Sequence, residues 1–247
     1  MNKLCIITGS SGGIGTALVR KYCDEGFNVA GFDIEPKNIK QNSYDFYQLD
    51  LSDLHNENKL NFISETFSQI SKQKFEDVIL INNAAIQDLK TIGNIKHEDL
   101  QKTFSVNIFA PVLISKEFVK AFKCPKKIIN IGSIHSKLTK KHFTLYAASK
   151  AALKSFSNSM SIEGVKDVTV LHVDPGAIET NMLKDSFKNN QENFKTLENS
   201  IPKKIPSPED FAEFIFYFSS INSDYINGSS ISYDGGVSNL LNDPDNK

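Results

Sequence analysis

The sequence predicts an α/β fold in one domain, with a doubly wound, mostly parallel sheet of about seven strands and helices on both faces. Three observations predict it. Short apolar runs alternate with amphipathic helical stretches along the chain, and the first such unit carries a glycine-rich loop between strand and helix. No repeat, linker or low-complexity segment divides the 247 residues, so residues 1–247 read as a single domain.

Lys3 to Thr8 is a short run rich in β-formers, a buried strand that stops at Gly9. After Gly9-Ser10-Ser11-Gly12-Gly13-Ile14-Gly15, the residues Ile14, Leu18, Val19 and Tyr22 recur at helical spacing, and Gly26 follows as a C-cap. Asn28 to Asp33 completes a strand–loop–helix–strand unit. Tyr44 to Leu49 reads as strand three, Leu60 to Ile70 as a helix, and Val78 to Ile81 as a strand ending at Asn82-Asn83-Ala84-Ala85. His97 to Phe122 is a long helical region interrupted around Pro111. Lys127 to Ile131 is strand five, followed by a polar stretch to Thr144 and then the helix that carries Tyr146. Val168 to Val173 is strand six and ends at Pro175-Gly176. Residues 181–206 give few signals and read as irregular. Phe211 to Phe218 is a helix introduced by Ser207-Pro208, and Ser229 to Tyr233 is the last strand, before Asp234-Gly235-Gly236.

Bulk properties exclude several classes of function. Hydrophobic residues make up 40% and charged residues 23%, and the formal net charge is −1, so no global field favours nucleic acid or an anionic membrane. The apolar run Leu4 to Ile7 is too short for a signal-peptide core. No stretch approaches the ~20 apolar residues that cross a bilayer. Cys5, Cys23 and Cys124 are odd in number and lack metal-ligand spacing, which fits a reducing, cytoplasmic compartment. His55, His97, His142 and His172 have no spacing that suggests a metal, and none is expected.

Two constellations point to chemistry. A helix N-terminus offers unpaired N–H groups and a positive dipole end, which suit a diphosphate, and glycines let the ligand approach the backbone. Gly9, Gly13 and Gly15 occupy such a junction, and Asp33 ends the next strand, where a carboxylate can accept both ribose hydroxyls of an adenosine and repel a 2′-phosphate. NAD(H) is therefore favoured over NADP(H). Further along, Tyr146 and Lys150 stand four apart on one helix face. An ammonium beside a phenol favours phenolate, which makes Tyr146 a candidate acid/base. Taken alone, the pair also fits an ordinary helix face.

These motifs, in this order, resemble the short-chain dehydrogenase/reductase family in its compact, non-extended branch, and the resemblance runs from Thr8 to Gly236. It implies a Rossmann-type fold. Gly9, Ser11, Gly13, Ile14 and Gly15 match the family's cofactor loop, and Asp50-Leu51 its adenine-contacting pair. Asn82-Asn83-Ala84-Ala85 stands where the family has Asn-Asn-Ala-Gly, with Ala85 a mild departure, and implies Asn83 and Ala84 as cofactor contacts. Asn107 matches the helix asparagine, Ser133 the catalytic serine thirteen residues before Tyr146, and Tyr146/Lys150 the Tyr-x-x-x-Lys pair. Pro175, Gly176 and Thr180 match the segment beside the nicotinamide, and Asp234-Gly235-Gly236 the C-terminal motif.

The resemblance implies an NAD(P)(H)-dependent oxidoreductase that interconverts a secondary alcohol and a ketone. Tyr146 would move the proton, Lys150 would tune it and contact the nicotinamide ribose, and Ser133 would donate to the substrate oxygen. Asn107 would act through its backbone carbonyl and a water. Residues 181–206 would be the substrate lid, with Met182, Leu183, Phe187, Phe194 and Leu197 able to close over a substrate. Lys184, Lys188, Lys195, Lys203 and Lys204 outnumber the acids there, which reads as a solvated loop face. His135 reads as a loop histidine that is also placed to line the pocket. Family members of this kind form homotetramers or homodimers, and Ala147, Ala148, Ala151 and Ala152 would permit close helix packing. Two other readings stay open: a catalytically silent cofactor-binding regulator, and a 3-oxoacyl-type reductase using NADPH.

Overall fold

The computed structural model of the protein describes residues 2–54, 56–163, 167–185 and 202–240. Seven strands form one sheet, all paired parallel, in the order β3-β2-β1-β4-β5-β6-β7. They are β1 (Lys3–Thr8), β2 (Asn28–Asp33), β3 (Tyr44–Gln48), β4 (Asp77–Asn82), β5 (Lys126–Ile131), β6 (Val168–Pro175) and β7 (Ser230–Tyr233). The helices are α1 (Gly13–Asp24), α2 (Glu57–Ile70), α3 (His97–Phe104), α4 (Ala110–Ala121), α5 (Thr144–Ile162), α6 (Asn181–Asp185) and α7 (Pro208–Ser220). The expected seven strands and their alternation with helices are all present. Element ends shift by one to three residues, and α6 is a short helix at the start of the segment read as irregular.

Side chains on a strand point alternately to opposite faces, and this divides the core in two. Cys5, Ile7, Val29, Ile79, Ile81, Ile129, Leu171 and Val173 face one way, under α1 and α7. Leu4, Ile6, Ala30, Phe32, Val78, Leu80 and Ile128 face the other, under α2 and α4. Near-continuous apolar runs in β1 and β4 follow from this burial on both faces. Across the first face, α1 is clamped to α7. The Tyr22 hydroxyl meets Ser219 Oγ at 2.7 Å, and Lys21 pairs with Glu213 at 2.6 Å beside the Phe216 ring.

Local chemistry sets the helix ends. Asn56 caps α2, and Ser207 caps α7 in a reciprocal box with Asp210, Pro208 occupying the first turn. The long helical region breaks earlier than its proline suggests, because residues Ser105–Phe109 form a π-helical turn between α3 and α4. Pro111 has no N–H, so the carbonyl four residues before it, that of Asn107, loses its α-helical donor and the turn widens there.

Candidate active site

Every strand of the sheet is parallel, so the loops after the carboxyl ends of β1, β2, β4, β5 and β6 all open on one edge. In such sheets ligands bind there, where the strand order reverses. Here the reversal lies between β1 and β4.

The glycine loop turns directly out of β1. Gly9 has φ +67°, and a Cβ on it would come within 2.8 Å of Ala84 Cα. A Cβ on Gly15 would lie 1.9 Å from the Gly9 carbonyl oxygen, so α1 can start this close to the strand only with glycine there. Gly12 is the N-cap of α1 and supplies no side-chain acceptor, and the first turn has no acid. The leading N–H groups of α1 thus have no side-chain cap and no acid in the first turn beside them. That suits a bound diphosphate, and the nucleotide expected from the sequence fits these residues.

Neighbouring residues brace the loop. The Asn83 side-chain amide donates to the carbonyls of Thr8 and Gly9 at 3.0 and 3.1 Å, while Thr8 Oγ1 accepts the backbone N–H groups of Asn83 and Ala84. Asp33 takes the Ser11 N–H on Oδ2 at 2.8 Å and the Ile34 N–H on Oδ1 at 2.7 Å. Two oxygens with about four lone-pair sites leave acceptor capacity for ribose hydroxyls. Asp50 caps a 3₁₀ turn, holding Ser52, and Leu51 beside it is buried. Thr180 packs its methyl 3.2 Å from where a Gly13 Cβ would stand, and Gly176 abuts Asp234. The cofactor residues expected from the sequence therefore line one edge of the sheet.

Ser133, Tyr146 and Lys150 come together beside it. Ser133 follows β5 and caps a 3₁₀ turn over Ile134–Ser136, accepting the His135 N–H at 3.2 Å. Its hydroxyl acts on the Tyr146 phenol, both side chains being buried. Lys150 is 2% exposed; its Nζ donates to the Ile131 carbonyl at 2.8 Å and lies 5.7 Å from the Tyr146 ring centroid. The expectation that Lys150 depresses the phenol pKa is corrected here. Burial pushes Tyr146 up to about 12, the Ser133 hydroxyl works against that, and the Asp174 carboxylate adds to it. Burial lowers Lys150 to about 8, opposed by Asp174. With its ammonium turned to a carbonyl, Lys150 does not offset the desolvation of the phenol.

Asn107, fully buried in the π-turn, is the connector. Its Oδ1 accepts the Ile86 N–H at 2.9 Å, and its Nδ2 donates to the Ile86 carbonyl at 3.0 Å and to Ser149 Oγ at 2.9 Å. Ser149 Oγ in turn donates to the Tyr146 carbonyl at 2.7 Å, so the loop after β4 and the Tyr146 helix are locked together. His135 is more than a loop residue. Its ring packs at a tilt against Phe143, 4.4 Å between centroids, and approaches Tyr146 at 6.1 Å, and burial lowers its pKa.

Sequence reasoning missed several residues here, namely Phe143, Ser149, Lys154, His172 as a partner, and Asp174. No local motif marks them. Phe187, Phe194 and Leu197 of the expected lid lie outside the described residues, as does His55. Among the described residues no cluster of His, Cys, Asp or Glu could hold a metal, and no helix is long and apolar enough to cross a membrane.

Known proteins resemble this chain in sequence and fold. The family model described as short chain dehydrogenase matches residues 3–191. A 3-oxoacyl-(acyl-carrier-protein) reductase of Buchnera aphidicola is 29% identical over 246 residues, covering 95% of this chain and 97% of that protein. An L-2,3-butanediol dehydrogenase of Corynebacterium glutamicum is 30% identical over 257 residues, covering 96% and 99%. Among solved structures, a 4-hydroxyisoleucine dehydrogenase complexed with NADH superposes with a TM-score of 0.85 at 27% identity, covering 97% of this chain and 100% of its own.

Proposed function

The chain belongs to the short-chain dehydrogenase family, and on that premise we propose that it interconverts a secondary alcohol and a ketone with NAD(H) as the preferred cofactor. One observation carries the reading. Ser133, Tyr146 and Lys150 are buried side by side at the same sheet edge as the glycine loop and Asp33. When bound, a nicotinamide supplies or accepts the hydride. The chain's own residues would do the rest. Gly9, Ser11, Gly13, Ile14 and Gly15 would hold the diphosphate, and Asp33 the adenosine ribose. Asp50 and Leu51 would flank the adenine. Asn83, Ala84, Pro175, Gly176 and Thr180 would line the nicotinamide side, and Lys150 would contact its ribose.

In the reducing direction the carbonyl carbon gains the hydride, the C=O π pair moves to oxygen, and that oxygen takes the Tyr146 proton. Ser133 would donate a hydrogen bond to the same oxygen, stabilising charge as it develops. Asn107 would act through its position, its carbonyl freed from α-helical pairing by Pro111. The 2,3-butanediol dehydrogenase among the relatives supports small vicinal hydroxy ketones as a first substrate class. The 3-oxoacyl reductase supports a second reading, with an acyl substrate.

The test is a panel of diacetyl, acetoin and an acetoacetyl thioester, each with NADH and NADPH, following loss of reduced-nicotinamide absorbance. Turnover of a small ketone with NADH in preference to NADPH is expected, and Tyr146→Phe should lower kcat by about 10²–10⁴. A preference for NADPH sinks the Asp33 argument. Cofactor binding with no turnover across the panel favours the regulator reading, and undiminished kcat in Tyr146→Phe removes the phenol from the chemistry.

A further inference from the structure

A second cluster of charged side chains lies directly beneath Ser133. Asp174, in β6, is 1% exposed and accepts from four donors on three elements. Its Oδ1 takes the Ser133 N–H at 3.1 Å, Ser136 Oγ at 3.2 Å and His172 Nε2 at 2.9 Å. Its Oδ2 takes Lys154 Nζ, from α5, at 2.5 Å. His172, equally buried, continues through Nδ1 to Ser157 Oγ at 3.0 Å, and from there to Asn130 and Asn82. Parallel register builds this row, since Asn82 stands beside Asn130 and Asn130 beside His172, with Asp174 two residues on and on the same face. Gly132 makes the space. A Cβ there would lie 2.3 Å from His172 Nε2 and 2.5 Å from Asp174 Oδ1.

A buried ionic cluster is a weak source of stability compared with apolar packing of the same volume. This one has a specific output, because two of its bonds grip both ends of the Ser133–Ser136 turn. We infer that Asp174, held by His172 and Lys154, is a positioning residue that fixes the Ser133 backbone and so aims the Ser133 hydroxyl at Tyr146. The inference rests on the oxidoreductase reading above. Asp174, His172 and Lys154 have no part at the reacting atoms in that reading, so each acts through Ser133 and through its charge.

The charge gives a readout that packing alone would not move. Tyr146 and Lys150 on α5 face His135 from the turn and Asp174 from β6, while Asp174 itself faces Lys154 on α5 and His172 on its own strand. The Asp174 carboxylate favours the Lys150 ammonium and disfavours the Tyr146 phenolate. Neutralising Asp174 therefore moves the alkaline limb of activity to lower pH. Removing Lys154 leaves the carboxylate less compensated and moves the limb to higher pH.

The experiment uses the full chain with NADH and whichever carbonyl of the panel above it reduces fastest, comparing wild type, Asp174→Asn, Lys154→Met and Tyr146→Phe. NADH binding is followed separately by nicotinamide fluorescence. Expected are a fall in kcat of about 10–100-fold in Asp174→Asn with NADH affinity retained, and limb shifts of opposite sign in Asp174→Asn and Lys154→Met. Should Asp174→Asn fail to fold, the upward limb shift in Lys154→Met, at the half-buried edge of the cluster, still decides. Unmoved limbs, with wild type active and Tyr146→Phe inactive, overturn this inference alone. An active Tyr146→Phe, or no turnover by wild type, overturns the reading beneath it and this inference too.

Discussion

Burial sets the two residues of the Tyr146 helix face in opposite senses. Desolvation penalises whichever form is charged, so the phenol is raised to about 12 and the ammonium lowered to about 8. At neutral pH the phenol keeps its proton and can give it to a carbonyl oxygen. Lys150 keeps its proton only below about 8, so carbonyl reduction is expected to decline as pH rises through that value, as the pH dependence of kcat will show. Asp174 carries the opposite sign. Burial works to raise it, but the bonds from His172 and Lys154 prevail and hold it at about 2, below its ordinary 3.8. A depressed carboxyl stabilises the fold above its ordinary value and loses that contribution as pH falls through the folded one. The contribution is on the order of 2 kcal/mol. Urea unfolding should therefore show the gap between wild type and Asp174→Asn narrowing between about pH 4 and 2.

At the scale of elements, the π-turn over Ser105–Phe109 is what puts Asn107 against Ile86 and Ser149. Asn107→Ala would leave the half-buried Ile86 N–H and carbonyl and the buried Ser149 hydroxyl without that partner. A loss of about 2–4 kcal/mol in unfolding free energy is expected from denaturant titration. The break itself was legible in the sequence only approximately. Pro111 announced it, but a missing N–H is felt four residues upstream, and the turn lies there. Strands and helices were legible because their hydrophobic periods differ. The cluster of Asp174, His172 and Lys154 was not legible. His172 and Asp174 stand two apart on β6, but only the packing of α5 brings Lys154 to them, and only the pairing of β6 with β5 brings them under the turn after β5. The contact of His135 with Phe143 was not legible for a similar reason, since it depends on how the stretch after β5 folds back.

For the molecule as a whole, the parallel sheet gathers loops from five strands onto one edge, which is why residues as distant as Gly9 and Gly176 belong to one expected binding site. A ligand that binds only the folded chain stabilises it by mass action, by about 2.7 kcal/mol at a hundredfold excess over Kd. NADH should therefore raise Tm in thermal unfolding more than NADPH does at equal concentration. If the two nucleotides stabilise equally, Asp33 does not discriminate between them. Topology also bears on how the chain is made. Helix α1, which bears the glycine loop, packs on α7, and Tyr22 meets Ser219 across 197 residues of sequence. At a synthesis rate of about 5–20 residues per second, α1 would wait about 10–40 s for that partner. For that interval the part of α1 that packs on α7 stands without its cover. The helix that bears the nucleotide loop thus gains part of its packing only once the chain as far as α7 has been made.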